Sequence, residues 1–274
     1  MRYLAKQVPY KLGEAVRLVF FSDTHIGSPG FAKNHFKKFL QSSMDHPNAY
    51  LMGIGDLLDC IVPSDIKRFQ ISCIDPKYLA SEHADEVLDM QKAEAVELLM
   101  PYRERLLGLV LGNHCYQISK RYGTNIHRQV CNELGADNLG YSCLYRLNLR
   151  ENGGRGRSYV IHATHGFGAG TVSEGYSITK YSRLIYSYDA DCYISAHDHQ
   201  LWSKRLSRIG VTSTGKMEDR TILLCNTGAF CKTLSDTDSP SYSEVKGYPP
   251  RVLGGIVIDL YVDSHRWIEV RLID

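Results

Sequence analysis

The stretch Val16–Gly27, VRLVFFSDTHIG, is an apolar run followed directly by polar residues, a pattern that recurs along the chain. Its first part, Val16–Ser22, is a short run of apolar, β-branched and aromatic residues, which is typical of a buried strand. Polar side chains follow this run at once. Similar apolar runs recur at Ala49–Ile54 and Leu106–Leu111, and each leads through a glycine into an Asp or an Asn. The first half of the chain therefore contains three predicted strands that end in chemically useful side chains.

Helical patterns separate these three strands, one over Lys33–Met44 and a longer one over Ser81–Arg105. Strands that alternate with helices pair in parallel, and parallel strands bring their carboxyl ends to one edge of a sheet. The second half predicts a helix over Glu174–Tyr188, a hairpin loop at 151–156 and a series of strands. These strands are predicted at Ser142–Leu149, Arg157–Ala163, Cys192–Ser195, Leu201–Arg208, Thr221–Cys225, Gly255–Tyr261 and Trp267–Leu272.

The composition is that of an ordinary globular protein. The 274 residues are 43% hydrophobic and 23% charged, with a formal net charge of +2, which excludes a disordered, collagen-like or coiled-coil chain. A polar loop is predicted at Ser235–Pro250, and the 24 residues after it are too few for another domain, so we expect one domain over residues 1–274. No apolar run reaches the ~18 residues of a membrane span or resembles a signal peptide. We therefore expect a cytoplasmic protein without a membrane partner. The eight cysteines form no C-x-x-C pair and are expected to be reduced, buried thiols.

Histidines, carboxylates and one amide collect at the predicted strand ends. Imidazole nitrogens together with carboxylate and amide oxygens suit Mn, Fe, Co, Ni or Zn better than the all-oxygen sites of Mg or Ca. Seven candidate ligands exceed the needs of one tetrahedral ion and suit two ions that share a bridging carboxylate, ~3.5–4 Å apart. The motifs are Asp23-Thr24-His25, Gly55-Asp56, Gly112-Asn113-His114, His165-Gly166 and His197-Asp198-His199.

His162 competes with His165, because both lie near the same strand end. A separation of three residues places the two side chains on opposite faces of a strand. Glycine after His165 permits a tight turn, which favours His165 as the ligand.

The order D-x-H, G-D, G-N-H, H and H-x-H resembles the calcineurin-like metallophosphoesterase family, and Asp23–Gly27 also has that family's common D-x-H-x-G form. The resemblance spans Asp23 to His199. It implies an α/β fold in which a two-sheet β-sandwich is flanked by helices, in four layers. It also implies a catalytic histidine at His114 and two metal sites joined by Asp56. One metal would be held by Asp23, His25, Asp56 and His199, and the other by Asp56, Asn113, His165 and His197.

Such a site implies an enzyme that hydrolyses phosphoric esters with two divalent transition-metal ions. Mn²⁺ is expected first, with Fe, Zn, Ni or Co as alternatives. A hydroxide between the ions would attack phosphorus, and His114 would protonate or stabilise the leaving oxygen. Asp59 matches the second acid of the family's G-D-x-x-D form and is expected to hold the His114 ring in a productive tautomer.

The substrate is expected to be a phosphodiester, with nuclease-like activity as one form. Cys60 stands where some monoesterases of the family have an arginine, and such a clamp favours the dianionic monoester. The alternatives are a phosphomonoesterase, a hydrolase of nucleotide or lipid-precursor pyrophosphates, and a non-catalytic metal-binding scaffold. Basic stretches at 116–157 and 201–216 permit nucleic acid as the substrate without requiring it.

Two other departures from the family pattern also leave every ligand in place. Cys115 replaces the acid that often follows G-N-H and is expected to be a packing residue, and Ala196 replaces the glycine before H-x-H.

The glycines of 166–170 imitate a dinucleotide fingerprint, but Thr171 occupies the place of its third glycine. We therefore expect no nicotinamide site, and expect these glycines to let the backbone pass close to the metal ligands.

Overall fold

Two β-sheets form the framework of the computed structural model, which describes residues 1–11, 13–61, 74–78, 84–150, 156–168, 173–212, 214–234, 240–245, 247–261 and 268–274. The strands are β1 Arg2–Pro9, β2 Ala15–Phe21, β3 Ala49–Gly53, β4 Leu106–Leu109, β5 Ser142–Arg150, β6 Gly156–Thr164, β7 Cys192–Ser195, β8 Leu201–Val211, β9 Met217–Thr227, β10 Gly255–Tyr261 and β11 Ile268–Ile273. The α-helices are α1 Lys33–Met44, α2 Ala84–Leu99, α3 Asn113–Tyr122, α4 Ile126–Leu134, α5 Glu174–Ser182, α6 Leu184–Ser187 and α7 Tyr242–Val245. Short 3₁₀ helices lie at Pro76–Tyr78 and Met100–Arg105.

The first sheet has the order β11-β10-β2-β3-β4, and the second has the order β1-β5-β6-β7-β9-β8. In the first sheet β2, β3 and β4 are parallel neighbours, as the alternation of strands and helices predicts. The predicted hairpin is present as the antiparallel pair β5 and β6, although its loop residues 151–155 lie outside the described part of the chain. In the second sheet β6, β7 and β9 are parallel. Their carboxyl ends therefore lie at one edge, as those of the first sheet do.

Both faces of β2 are buried, which explains why its sequence is a nearly continuous apolar run. Leu18 and Phe20 pack between the sheets against residues of the second sheet such as Leu147. Val19 and Phe21 point the other way, into the core beneath α1 to α4.

The outer face of the second sheet is covered by α5 and α6 through a smaller core that contains Tyr181, Tyr193 and Leu224. The layers are thus helices, sheet, sheet, helices. This arrangement confirms the predicted α/β two-sheet sandwich.

Element boundaries differ from the predictions where local chemistry intervenes. The helix predicted over Ser81–Arg105 is α2 followed by a 3₁₀ turn, because Pro101 lacks a donor and opposes continuation of the α-helix. The helix predicted over Glu174–Tyr188 is two shorter ones, α5 and α6. The sequence patterns did not predict β1, α3 and α4. The first of these is a largely exposed edge strand, so its hydrophobic pattern is weak.

The segment predicted as a loop at Ser235–Pro250 contains the short α7, and residues 235–239 and 246 lie outside the described part of the chain. Seven cysteines are described and all are free thiols; six of them are buried, and Cys231 is partly exposed. Within the described residues, no helix combines the length and the apolar character that crossing a membrane requires.

Candidate metal centre

Five strands end next to one another at one end of the sandwich: β2, β3 and β4 of the first sheet, and β6 and β7 of the second. Each strand end leads into a loop or helix start that carries predicted ligands. The structure brings together all seven of these side chains and, beside them, the predicted catalytic histidine. The ligand candidates are Asp23, His25, Asp56, Asn113, His165, His197 and His199, and the histidine is His114.

A first cluster joins Asp23, His25 and His199. Oδ1 of Asp23 lies 3.2 Å from Nε2 of His199 and 3.7 Å from Nε2 of His25, and the two histidine nitrogens are 3.3 Å apart. Two ligand atoms at ~2.1 Å from a tetrahedral ion lie about 3.4 Å apart, so the three atoms have the spacing that one ion requires. Oδ1 of Asp23 is also buried without a hydrogen-bond partner in the described part of the chain. A cation fits this otherwise unsatisfied oxygen.

A second cluster joins Asp56, His165 and His197, with Asn113 beside it. Nε2 of His165 lies 3.1 Å from Oδ2 of Asp56 and 2.9 Å from Oδ1 of Asn113. Nδ1 of His165 donates to the carbonyl of Ile54 at 2.9 Å. The other ring nitrogen, Nε2, therefore faces the cluster and can offer its lone pair to an ion. His197 has the opposite arrangement: Nε2 lies 2.8 Å from the Gly168 carbonyl, which leaves Nδ1 available to an ion.

Asp56 belongs to the second cluster and also forms a close group with His25 of the first, as a bridging ligand would have to do. Its Oδ2 faces His165, and its Oδ1 accepts a hydrogen bond from the backbone N–H of His114 at 3.0 Å. His114 is in the first turn of α3, so this carboxylate also sits at the positive end of that helix. Asp56 forms a further close group with His25 and His114. The bridging role of Asp56 remains a prediction that this position supports.

The charges in the site favour ionised carboxylates. Burial opposes ionisation of Asp56, but the charges of His165 and His114 outweigh it and hold the pKa of the Asp56 carboxyl well below its usual range. Burial likewise opposes a charged His165, but Asp56 raises the pKa of that imidazole to about 9. Carboxylates must be ionised and imidazoles neutral to bind a metal, so we expect metal binding to release protons here.

His114 and Asp59 are adjacent, but in a different arrangement from the one predicted. Nδ1 of His114 bonds to the backbone carbonyl of Asp59 and lies 3.5 Å from its Oδ1. That same Oδ1 is closer to Nδ1 of His25, at 3.1 Å. The carboxylate of Asp59 therefore orients the ligand candidate His25 more directly than it orients His114, whose ring is held by the main chain. Nε2 of His114 points toward Asp56 and lies 3.9 Å from its Oδ2.

Backbone conformation marks the same residues. In the described part of the chain, six non-glycine residues have a positive φ, between 43° and 74°. Left-handed backbone of this kind costs non-glycine residues about 1–3 kcal/mol each and concentrates at functional sites. Five of the six are ligand candidates and the sixth is Cys60: they are Asp23, His25, Asp56, Cys60, His197 and His199.

Backbone hydrogen bonds between the loops after β2 and β3 hold their strained residues in place. The backbone N–H of Asp23 donates to Gly55, and that of His25 donates to Asp56, both at 3.1 Å. The N–H of His197, from the second sheet, donates to Oδ2 of Asp23 at 3.1 Å. Three ligand-bearing loops are thus joined directly to one another.

Two of the departures from the family pattern contact each other. The Sγ atoms of Cys60 and Cys115 are 3.6 Å apart and both side chains are buried. The neighbouring Cys115 thiol and burial raise the pKa of the Cys60 thiol, so Cys60 is uncharged at neutral pH. This contact fits the packing role expected of Cys115. Of the segment 60–79 that follows the second motif, residues 62–73 and 79 lie outside the described part of the chain.

His162 is on the opposite face of β6 from the site, as the spacing predicts. Its ring stacks on Tyr188 with centroids 4.2 Å apart. An added Cβ at Gly166 would lie 2.9 Å from the Cβ of the ligand candidate His197, so this glycine passes close to a ligand candidate as expected, whereas an added Cβ at Gly168 would meet nothing within 4 Å. Gly168 contributes its carbonyl to His197, and residues 169–172 lie outside the described part of the chain.

Sequence reasoning missed the buried residues that hold the ligand candidates from behind, among them Asp198 and Lys180. Asp198 lies inside the H-x-H motif, and a carboxylate between two ligands was the only signal that could have pointed to it. Lys180 lies in α5 and carries no signal in the sequence.

No protein-family model and no curated protein matches the chain. Among solved structures, a metallophosphoesterase from Sphaerobacter thermophilus aligns over 94% of this chain and 88% of its own, at 11% identity and a TM-score of 0.40. A predicted phosphoesterase from Streptococcus pneumoniae aligns over 94% and 89%, at 12% identity and a TM-score of 0.36. A protein serine/threonine phosphatase from Saccharomyces cerevisiae aligns over 98% and 82%, at 12% identity and a TM-score of 0.36. The class of this chain is therefore inferred from its own donor groups and their geometry.

Proposed function

We propose that this protein is a metal-dependent phosphoesterase with two divalent transition-metal ions, and that its substrates are phosphodiesters. The observation that carries the proposal is the convergence of donors from five strand ends into two clusters, with the Asp56 carboxylate close to residues of both. Structural donors for a single ion would not need a second cluster that shares a carboxylate. The mixed nitrogen and oxygen donors favour Mn²⁺, Fe, Zn, Ni or Co.

Bound ions would acidify and orient a water nucleophile and neutralise charge on the phosphoryl oxygens. The residues of the chain have separate tasks in this scheme. Asp59 fixes the tautomer of His25, because its carboxylate accepts from Nδ1 and leaves Nε2 to face the first cluster. The Asp59 carbonyl does the same for His114, so Nε2 of His114 is the ring nitrogen that would interact with the leaving oxygen.

His114 is partly exposed, as are the ligand candidates Asn113, His197 and His199, whereas Asp56 and His165 are buried. A group that meets the substrate has to be accessible, and His114 satisfies this requirement of the proposed catalytic role.

The preference for a diester rests on the Cys60 and Cys115 pair. An arginine at position 60 would add a cation for the second negative charge of a monoester. Here that position is a buried thiol in contact with another buried thiol, so position 60 supplies no cation to the site. Lys180, a cation near the H-x-H motif, is bonded to Asp198.

The proposal is tested with purified protein loaded with Mn²⁺ and assayed on bis(p-nitrophenyl) phosphate and p-nitrophenyl phosphate. We expect a higher kcat/KM on the diester, and activity lost in Asp56→Asn prepared in the same way, which controls for contaminating hydrolases. A clear preference for the monoester would replace the diester proposal with a phosphomonoesterase. Bound metal without turnover of either compound, of single-stranded DNA or of a nucleotide pyrophosphate would favour the scaffold alternative.

A further inference from the structure

Asp198 lies between the ligand candidates His197 and His199, but it is bonded away from them, into the protein. It is 4% exposed, and both of its carboxylate oxygens have partners. Oδ1 accepts from Nζ of Lys180 at 2.6 Å, and Oδ2 accepts from the hydroxyl of Ser177 at 2.9 Å. Both partners belong to α5, and both are buried as well.

Lys180 also holds the neighbouring ligand loop. Its Nζ donates to the carbonyl of Phe167 at 3.0 Å, two residues after the ligand candidate His165. From the next position on α5, the Tyr181 hydroxyl donates to the Ala196 carbonyl at 2.8 Å. One face of α5 therefore contacts the two loops of the second sheet that carry His165, His197 and His199.

The His197–His199 segment needs such support. His197 has φ 74° and His199 has φ 54°, in the left-handed region that non-glycine residues avoid. A strained backbone persists only when its surroundings over-determine it. Asp198 is the residue between the two strained positions, and its side chain is the one fixed by an ion pair.

We propose that Lys180 and Asp198 are positioning residues, which hold His197 and His199 in the backbone conformation that directs their imidazoles toward Asp56 and Asp23. This inference rests on the proposed metal-dependent function. Groups that orient metal ligands typically change metal affinity by about 10–100-fold when they are removed. Their effect on overall stability need not be large, because a buried ion pair replaced by apolar residues of similar volume is often neutral.

That difference separates a positioning role from a merely structural one. The double variant Lys180→Met/Asp198→Leu removes the pair without leaving either charge unpaired in the interior. We expect it to stay folded, with Mn²⁺ affinity in calorimetry reduced about 10–100-fold. We also expect faster amide hydrogen exchange at residues 197–200 in the metal-free protein.

Lys92→Met is the matched control, since Lys92 pairs with Asp89 and Glu133 on α2 and α4 and none of these is a ligand candidate. It should leave both measurements unchanged. Should the double variant not fold, Lys180→Gln/Asp198→Asn keeps both side chains polar, leaves neither charge unpaired, and should move both measurements in the same direction.

Wild-type Mn²⁺ affinity together with wild-type exchange in the double variant would overturn the positioning role while leaving the proposed function intact. Failure of the wild-type protein to bind Mn²⁺ would instead remove the proposed function. In that case the hydrogen-exchange comparison still tests the positioning role. Unchanged exchange at residues 197–200 overturns that role, and faster exchange in the double variant supports it.

Discussion

Gly112→Ala tests whether the bridging position of Asp56 is as sharply defined as the structure implies. Gly112 precedes α3 and has φ −89° and ψ 169°, which is extended backbone that alanine adopts without strain. A Cβ at this position would nevertheless lie 2.1 Å from both the backbone nitrogen and Oδ1 of Asp56. Ordinary contact begins near 3.4 Å, so Asp56 or the start of α3 has to move by about 1.3 Å.

A displacement of that size should affect both ions and the chemistry. Misplacement by about 1 Å near a reacting centre can cost on the order of 10²-fold in rate, so we expect at least that loss of kcat/KM on a diester. Overpacking of a buried site typically destabilises by about 1–3 kcal/mol, so the variant should remain folded. The assays are metal content by elemental analysis, kinetics on bis(p-nitrophenyl) phosphate, and urea unfolding.

Gly175→Ala is the matched control. Gly175 is in α5, and an added Cβ there meets no atom within 4 Å. Alanine in a helix is favoured over glycine by up to about 1 kcal/mol, so this variant should keep its metals and its activity and gain a little stability. If Gly112→Ala retained two ions and activity within threefold of the wild type, the close packing of Asp56 against α3 would not matter for function, and the reasoning would fail.

His114→Ala should lower turnover by about 10²–10⁴-fold and retain the metals, whereas a metal loss equal to that of Asn113→Ala would make His114 a ligand. Asp56→Asn should lower the content of both ions, because both clusters use that carboxylate; elemental analysis that finds one ion fully retained would contradict the bridge. His162→Phe should flatten the acid dependence of stability. Burial lowers the pKa of His162 to about 4, so the unfolded chain binds this proton more readily, and stability is lost as the pH falls from about 6.5 to about 4. At about 1.4 kcal/mol per pKa unit, the shift of His162 amounts to ~3 kcal/mol of unfolding free energy. Urea unfolding of the wild type and of His162→Phe at pH 4.5 and 7.5 measures this difference. An equal change of unfolding free energy with pH in the two proteins would refute the prediction.

The strand ends and the closeness of the ligand candidates that follow them could be predicted from the sequence because two independent signals coincide there. The apolar run Val16–Ser22 predicts a strand, which the structure has at Ala15–Phe21, and the polar residues that follow suit a metal. Parallel topology then requires the ends to lie together. The same reasoning separated His165 from His162, because three residues along a strand change the face.

The surroundings of the ligands could not be predicted, because they depend on contacts between distant elements. Asn113 and His114 follow a predicted strand, but nothing in that pattern shows that they form the first turn of α3 and aim a backbone N–H at Asp56. The sequence motif suggested that Asp59 serves His114. Only the packing of the β3 loop against the β2 loop shows its carboxylate nearer to His25.

The two sheets contribute differently to the strain at the site. In the first sheet, the left-handed residues Asp23, His25 and Asp56 are held by backbone hydrogen bonds between the β2 and β3 loops, which need no particular side chains. In the second sheet, the N–H of Ala196 donates to the His165 carbonyl, but among the described residues no backbone–backbone bond joins His197 or His199 to a neighbouring loop, and α5 supplies charged and hydroxyl groups to hold the residue between them. A backbone ladder tolerates substitution, whereas a buried ion pair does not tolerate the loss of one partner, which typically costs about 3–5 kcal/mol. The half of the site on the second sheet is therefore the more sensitive to mutations away from the ligands, and α5 is the element through which such mutations would act.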